Sequence, residues 1–193
     1  MANVDSPFGL RPAGNMHGAP HSGGIRTFST ASGDSVAIFL GDPVKLSGTS
    51  STVNGEVYED VDQAATGDVM AGVVVGVIPT TADSLIYRAA STTRLLLVNT
   101  DPDTIYEIQE VSGGTALTAA AIGLNANFVV GSGSTVSGWS GVELNNSGEA
   151  DTNTLDLKLV GLVRRADNEV GEHAKWLVQI NRSQWANQIA GIA

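Results

Sequence analysis

The sequence predicts a mainly β protein: a single β-barrel, jelly-roll-like or sandwich domain with an extended N-terminal arm and one or two short helices. Three observations predict it. Apolar residues alternate with polar ones over several short stretches, as in Val57, Glu59 and Val61 interleaved with Glu56, Tyr58 and Asp60. Residues 69–78 form a near-continuous apolar run with three consecutive valines, too β-branched for a favoured helix and about the length of a buried strand. Turn signals rich in Gly, Pro, Asn and Asp separate these runs, the spacing expected of a sandwich or barrel.

The chain divides into three parts. Residues 1–24 carry Pro7, Pro12 and Pro20 with Gly9, Gly14, Gly18, Gly23 and Gly24, a density that defeats helix and central strand alike. An extended arm is expected there, with Val4, Phe8, Leu10 and Met16 as apolar anchors for another surface; the alternative is a tail that lies along its own domain. Residues 25–182 are read as the β body, and residues 183–193 as a C-terminal turn and tail with Ser183 as N-cap. Within the body, Val36, Ile38 and Leu40 alternate before the turn Gly41-Asp-Pro43. Gly72 and Gly76 mark a bulge or a close approach of backbone in the valine run. Tyr87 and Arg88, residues 94–99 and residues 104–111 read as further strands, the last two divided by Asn99-Thr-Asp-Pro-Asp103. Phe128-Val-Val130 and Val142-Glu-Leu144 read as a hairpin with a Gly/Ser tip, residues 131–141. Leu155, Leu157, Leu159 and Val163 line one long strand, and Trp176, Val178 and Ile180 one face of another. Residues 115–122 have the composition of a short helix stopped by Gly123.

Composition narrows function. The chain has 193 residues, enough to bury roughly 70% of the unfolded surface without a staple. It has no cysteine, which removes thiol nucleophiles, zinc ribbons, iron–sulfur clusters and disulfide frameworks. A formal net charge of -10 repels phosphate backbones, so nucleic-acid binding is not expected. Only 16% of residues are charged, against about 25% in an ordinary domain, so Gly, Ser, Thr, Asn and Ala must cover much of the surface. Such a surface suits close packing against other protein. No stretch approaches the ~20 apolar residues of a membrane-spanning helix. The opening Met-Ala-Asn-Val-Asp-Ser-Pro lacks the basic start and apolar core of a secretory signal, and without export the sequons at Asn145 and Asn181 carry no weight.

No constellation for chemistry stands out. His17 and His21 would suit a metal only on a helix, which Gly18 and Pro20 forbid, and His173 stands alone, so neither metal nor cofactor is expected. The Gly-x-Ser-x-Gly elbow is missing, since Gly138-Trp-Ser140-Gly141 is off register, and the glycine-rich stretches lack a phosphate-loop lysine. Glu56, Glu59, Asp60 and Asp62, and again Asp101, Asp103, Glu107 and Glu110, cluster closely enough for calcium binding or acid–base work. On alternating strands they are expected to form the wet face. Arg164 and Arg165, with Asp167, Asn168 and Glu169, are expected to form an ion pair within the loop or between subunits.

Four segments together resemble the head decoration, or cement, proteins of tailed bacteriophages: Met1 to Pro12, Gly41-Asp-Pro-Val-Lys-Leu-Ser-Gly48, Ala65-Thr-Gly-Asp68 leading into Ala71-Gly-Val-Val-Val-Gly76, and Asp167-Asn-Glu-Val-Gly171 with Ala174-Lys-Trp-Leu-Val178. The resemblance implies a β-rich structural protein that is made in the host cytoplasm, sits on the outer surface of the capsid and clamps neighbouring copies of the major capsid protein. It implies an N-terminal clamping arm, for which Ser6, Pro7, Phe8, Gly9, Leu10, Arg11 and Pro12 are the candidate partner-binding residues. Phe8 and Leu10 would share one side of an extended chain and Arg11 would face a carboxylate. Apolar runs such as Val73-Val-Val75 and Leu95-Leu-Leu97 lead us to expect self-association as a homotrimer, a dimer being the other possibility. Two other readings stand beside this one: a carbohydrate-binding β module, for which ten aromatic residues (three Trp, three Tyr and four Phe) leave few to spare, and, more remotely, a trimeric dUTP nucleotidohydrolase. Gly131-Ser-Gly-Ser-Thr135 resembles the glycine-rich motif of that family, but Asp83-Ser-Leu-Ile-Tyr87-Arg88 lacks the glycines of its nucleotide hairpin.

Overall fold

Valines on both faces of one strand set the architecture. In the computed structural model, which describes residues 3–18 and 24–186, Val73 points into one hydrophobic core and Val74 into another. The strand that carries them, β5 (Gly72–Val77), belongs to a closed five-stranded barrel of order β2-β4-β3-β5-β6. Its other strands are β2 (Ile25–Ser29), β3 (Pro43–Val53), β4 (Glu56–Gln63) and β6 (Leu95–Asn99). Phe28, Ile38, Val44, Val61, Leu96 and Val98 fill the barrel around Val74. Beside it lies a five-stranded antiparallel sheet of order β1-β7-β12-β11-β8, formed by β1 (Arg11–Asn15), β7 (Thr104–Gln109), β8 (Asn125–Ala126), β11 (Leu157–Leu162) and β12 (Lys175–Ile180). Trp176, Tyr106, Ile108, Leu159 and Val178 build the second core with Phe128 and Leu144 of the short pair β9 (Phe128–Val129) and β10 (Glu143–Leu144). The chain is thus mainly β, with a barrel as its central element.

Most strands follow the alternation of the sequence. Trp176, Val178 and Ile180 are buried on one side of β12. The register of β5 against β6 shifts between Val74 and Gly76, and a Cβ on Gly72, at φ +155°, would collide with the Asn99 carbonyl oxygen; bulge and close approach both occur where the glycines mark them. Phe128-Val129 pairs with Glu143-Leu144 as the expected hairpin.

Three expectations are corrected, and one strand is added that the sequence did not show. Residues 36–40 form no strand, because the backbone changes partner: Ile38 bridges Arg88, and two residues later Leu40 bridges Trp139, so neither ladder propagates. Residues 115–122 shrink to a 3-10 turn, Ala119–Ala121, because the Glu110 carboxylate accepts the Leu117 N–H at 2.8 Å and holds that residue extended into the core. Strand β3 runs through a polar stretch in which Gly48, at φ +79°, belongs to a bulge between Leu46 and Ser50. The largest change concerns the arm. Residues 3–16 lie along the body and β1 is an edge strand of the large sheet, Arg11 opposite Glu107 and Pro12 opposite Tyr106. Pro12 is tolerated because an edge strand needs only one row of hydrogen bonds. Leu10 is fully buried in the second core, so the body begins well before residue 25. Of the C-terminal turn, the Ser183 hydroxyl accepts the Trp185 N–H as expected of a cap, and residues 187–193 lie outside the described residues. Among the described residues no helix is long and apolar enough to cross a membrane.

Leu10→Ala is expected to lower stability by about 3 kcal/mol, the cost of a large-to-small change in a closed core, read by denaturant unfolding. Removing residues 1–24 is expected to abolish cooperative unfolding, because it strips both Leu10 and an edge strand from the sheet.

Candidate functional site

The segment singled out by the sequence, Ser6 to Pro12, is spent largely on the protein itself. The Ser6 N–H donates to Gln109 Oε1 at 3.0 Å, and Pro7 is exposed. Gly9 turns the chain at φ +71°, and a Cβ there would stand 2.5 Å from the Gly41 carbonyl oxygen, so the positive φ breaks the simple alternation that would aim Phe8 and Leu10 together. Leu10 enters the core and its N–H donates to that same carbonyl at 2.9 Å. The carboxylate expected for Arg11 exists within the chain: Arg11 Nη2 meets Glu107 Oε2 at 2.7 Å and Arg165 Nη2 meets Glu107 Oε1 at 2.7 Å. Phe8 lies beneath the Arg11 guanidinium, 4.6 Å from ring centroid to charge. Leu10 therefore offers no side chain to a partner, whereas Arg11 and Pro12 remain half-exposed.

Arg11 and Pro12 form one wall of a groove of about 220 Å³ whose other lining includes Leu40, Gly41, Val74, Val75 and Trp139. Trp139 is 40% exposed, and the three loops that meet around it carry further exposed apolar side chains: Val36, Leu85, Ile86, Val130 and Val136. The loops are locked together. Ile38 and Arg88 exchange both backbone hydrogen bonds, Leu40 and Ser140 are bonded in a ladder with Gly138, and Phe39 stacks on Tyr87 at 4.8 Å. A Cβ on Gly133 would fall onto the Phe39 ring and one on Gly138 would meet Ile86 at 2.8 Å. The Gly/Ser stretch is therefore a packing element, and Tyr87 and Arg88 are occupied by Phe39 and Asp34. Fully buried Arg88 fixes these loops from beneath: Nη1 meets Asp34 Oδ2 at 2.8 Å, Nη2 donates to the Ala31 carbonyl at 2.7 Å, and Nε to that of Thr92 at 2.8 Å.

The acidic clusters are not a wet face throughout. Asp60 is buried and accepts hydroxyl hydrogen bonds from Ser29, Thr49 and Ser51. Glu107 is held between two arginines, and fully buried Glu110 accepts from the Leu117 N–H and from Trp176 Nε1, both at 2.8 Å. Burial pushes the Glu110 carboxyl above its ordinary range, and does the same to Asp156, which accepts the Gly67 N–H. The reason is long-range pairing: bulges and turns leave backbone N–H groups inside the protein, and carboxylates satisfy them. Glu56 and Glu59 do face solvent. Arg165 meets Asp167 at 3.4 Å, the intra-loop form of the two ion pairs considered. Among the histidines, His17 lies 3.5 Å from Asp103, His21 is outside the described residues, and His173 joins Asp5, Glu143 and Gln109.

Sequence reasoning missed Asp42. Its carboxyl is buried; Oδ2 accepts the Phe39 N–H at 2.8 Å and a hydrogen from Gln63 Nε2 at 3.0 Å, and the Ser140 hydroxyl stands beside it. Burial pushes its pKa up to about 6. The only sequence signal is the Gly-Asp-Pro turn, which reads as a surface feature.

Comparison of the chain with protein-family models, with curated proteins and with solved structures finds no match in any of the three.

A raised carboxyl pKa makes stability fall as pH rises: between pH 3.8 and about 6 the folded Asp42 keeps a proton that the unfolded chain has released. Asp42→Asn is expected to be more stable than the parent above pH 7 by about 3 kcal/mol, an advantage that disappears near pH 3.5. Thermal unfolding across that range checks it.

Proposed function

We propose that the chain is a structural protein of a phage virion, not an enzyme: a decoration protein that binds the outer surface of the head and bridges adjacent major capsid protein subunits, self-associating as a homotrimer. The observation that carries the protein-binding part is the apolar surface of Val36, Leu85, Ile86, Val130, Val136 and Trp139, presented by loops that are braced from below by Arg88. Exposed apolar side chains gathered on a rigid support mark interaction surfaces. The capsid as partner rests on the sequence resemblance described above. In this reading the contact surface is the loop end and the Trp139 groove, flanked by Arg11 and Pro12, in place of a free arm. Carbohydrate binding is the second reading, favoured by the exposed Trp139 ring beside a groove.

Full-length protein, mixed with undecorated expanded capsids and pelleted with them, is expected to bind, and Ile86→Asp and Trp139→Ser each to reduce occupancy at least about tenfold, as expected of centrally placed apolar contacts. Val57→Asp, an exposed position outside the patch, is expected to leave occupancy unchanged. Unchanged occupancy in all three variants would overturn the assignment of the surface, and absence of binding by the parent protein would overturn the capsid reading. Sugar binding abolished by Trp139→Ser would favour the second.

A further inference from the structure

Residues 3–8 are held to the body differently from the chain that follows. After Gly9, burial of Leu10 and the β1–β7 ladder fix the path. Before it the ties are polar, apart from the Phe8 ring under Arg11. Asn3 Nδ2 donates to the carbonyls of Glu169 and Glu172, both at 2.9 Å, and its Oδ1 accepts the Glu169 N–H at 3.0 Å. Val4 is 69% exposed, and Ser6 and Pro7 face solvent.

The central tie is Gln109, fully buried on β7. Its Oε1 accepts the Ser6 N–H, while its Nε2 stands 2.9 Å from Asp5 Oδ1, 3.3 Å from Glu143 Oε1 and 3.3 Å from His173 Nδ1. An amide has two hydrogens to give, and here two carboxylate oxygens and an imidazole nitrogen converge on it, the last an acceptor only when the ring proton sits on Nε2. His173 Nδ1 is also 3.5 Å from Asp5 Oδ1. Two carboxylates therefore face each other across one amide, with an imidazole as the only group of the three that can bring positive charge. Protonation of His173 turns Nδ1 into a certain donor toward Asp5 and halves the net negative charge of the cluster. The effect is visible from the other side: burial pushes the Glu143 carboxyl up, the charge of Asp5 pushes it further, and His173 opposes both. The remaining charged groups nearby are Lys175, opposite Gln109 in the ladder, Glu107 with its two arginines further along β7, and Glu169 and Glu172 in the loop before His173. His173 itself is fixed in the left-handed region, at φ +58°.

We propose that residues 3–8 form a releasable strap, hinged at Gly9 and latched by proton uptake in the Asp5, His173 and Glu143 cluster, closed in mild acid and open in mild alkali. Opening would uncover Gln109 and free Ser6, Pro7 and Phe8 as an extended segment able to lie along another protein. The inference does not rest on the capsid reading.

The test is amide hydrogen exchange of the full chain followed by NMR, with each rate corrected for the intrinsic pH dependence of exchange. Protection of the Ser6 amide is expected to fall about threefold between about pH 5 and pH 8, the scale of a partly exposed ion pair. Core amides such as those of Val178 and Leu159 are expected to stay protected throughout. In His173→Gln the fall is expected to vanish, whereas His17→Gln keeps it. Asp5→Asn, at an exposed position, gives a second arm should His173→Gln fail to fold, and is expected to flatten the profile likewise. Ser6 protection that is constant with pH, or a fall that persists in His173→Gln or Asp5→Asn, would overturn the latch.

Discussion

The structure turns on the contact between Gly9 and Gly41, where two backbones meet with no side chain between them. The Leu10 N–H reaches the Gly41 carbonyl, the Gly41 N–H reaches the Val74 carbonyl, and the Val74 N–H reaches that of Asp42. This short chain of hydrogen bonds joins the N-terminal segment to the strand shared by the two cores. Any side chain at position 9 would push against the Gly41 oxygen and Ser140, so the seam opens before either core is touched. It also explains the buried carboxyl. Asp42 must satisfy the Phe39 N–H and Gln63 in a place that water does not reach. Stability is thereby exchanged for a fixed junction, a cost typical of buried polar groups that position neighbouring elements.

The strands legible in the sequence were those whose two faces differ in environment. β12 buries Trp176, Val178 and Ile180, and its pattern of burial matches its pattern of residues. β5 was legible for the opposite reason, because both faces are covered and the sequence is apolar on both. β3 was opaque because half of it stands in solvent beyond the barrel, with Thr49, Ser50 and Thr52 exposed, so no apolar period is imposed on it. β1 was opaque because Pro12 and Gly14 are tolerated at an edge strand with a register shift, whereas a rule built on central strands excludes them. One apolar residue, Leu10, anchors that strand in the core, and a single residue has no period to read.

Acidic residues show the same limit more sharply. Glu59 and Asp60 are neighbours in sequence and opposites in setting, one exposed beside Arg26 and the other buried under three hydroxyls. Alternation predicts that they point apart, but it does not say which side is filled by Ser and Thr. A polar core position reads as a surface position whenever its partners are themselves polar. Glu110 with Trp176, and Arg88 with Asp34, are pairs of this kind, separated in sequence by 66 and 54 positions. The candidate interaction surface was illegible for a related reason. Its members come from three loops with no common period, and only bridges such as Ile38 to Arg88 and Leu40 to Trp139 bring them together.

Arg88 then explains why that surface can be apolar without collapsing. A loop rich in exposed apolar groups would ordinarily fold over to cover them, since burying each side chain releases about 1.5–3 kcal/mol. Here the backbone is already committed: the guanidinium takes the carbonyls of Ala31, Asp34 and Thr92 together with the Asp34 carboxylate, and removing any one of these from a buried cation leaves charge uncompensated. Ile86 and Val36, which flank this hub in sequence and in space, cannot turn inward without breaking it. The exposure of the patch is thus maintained by a polar interaction beneath it. That arrangement keeps a hydrophobic surface in solvent at the expense of the protein's own burial.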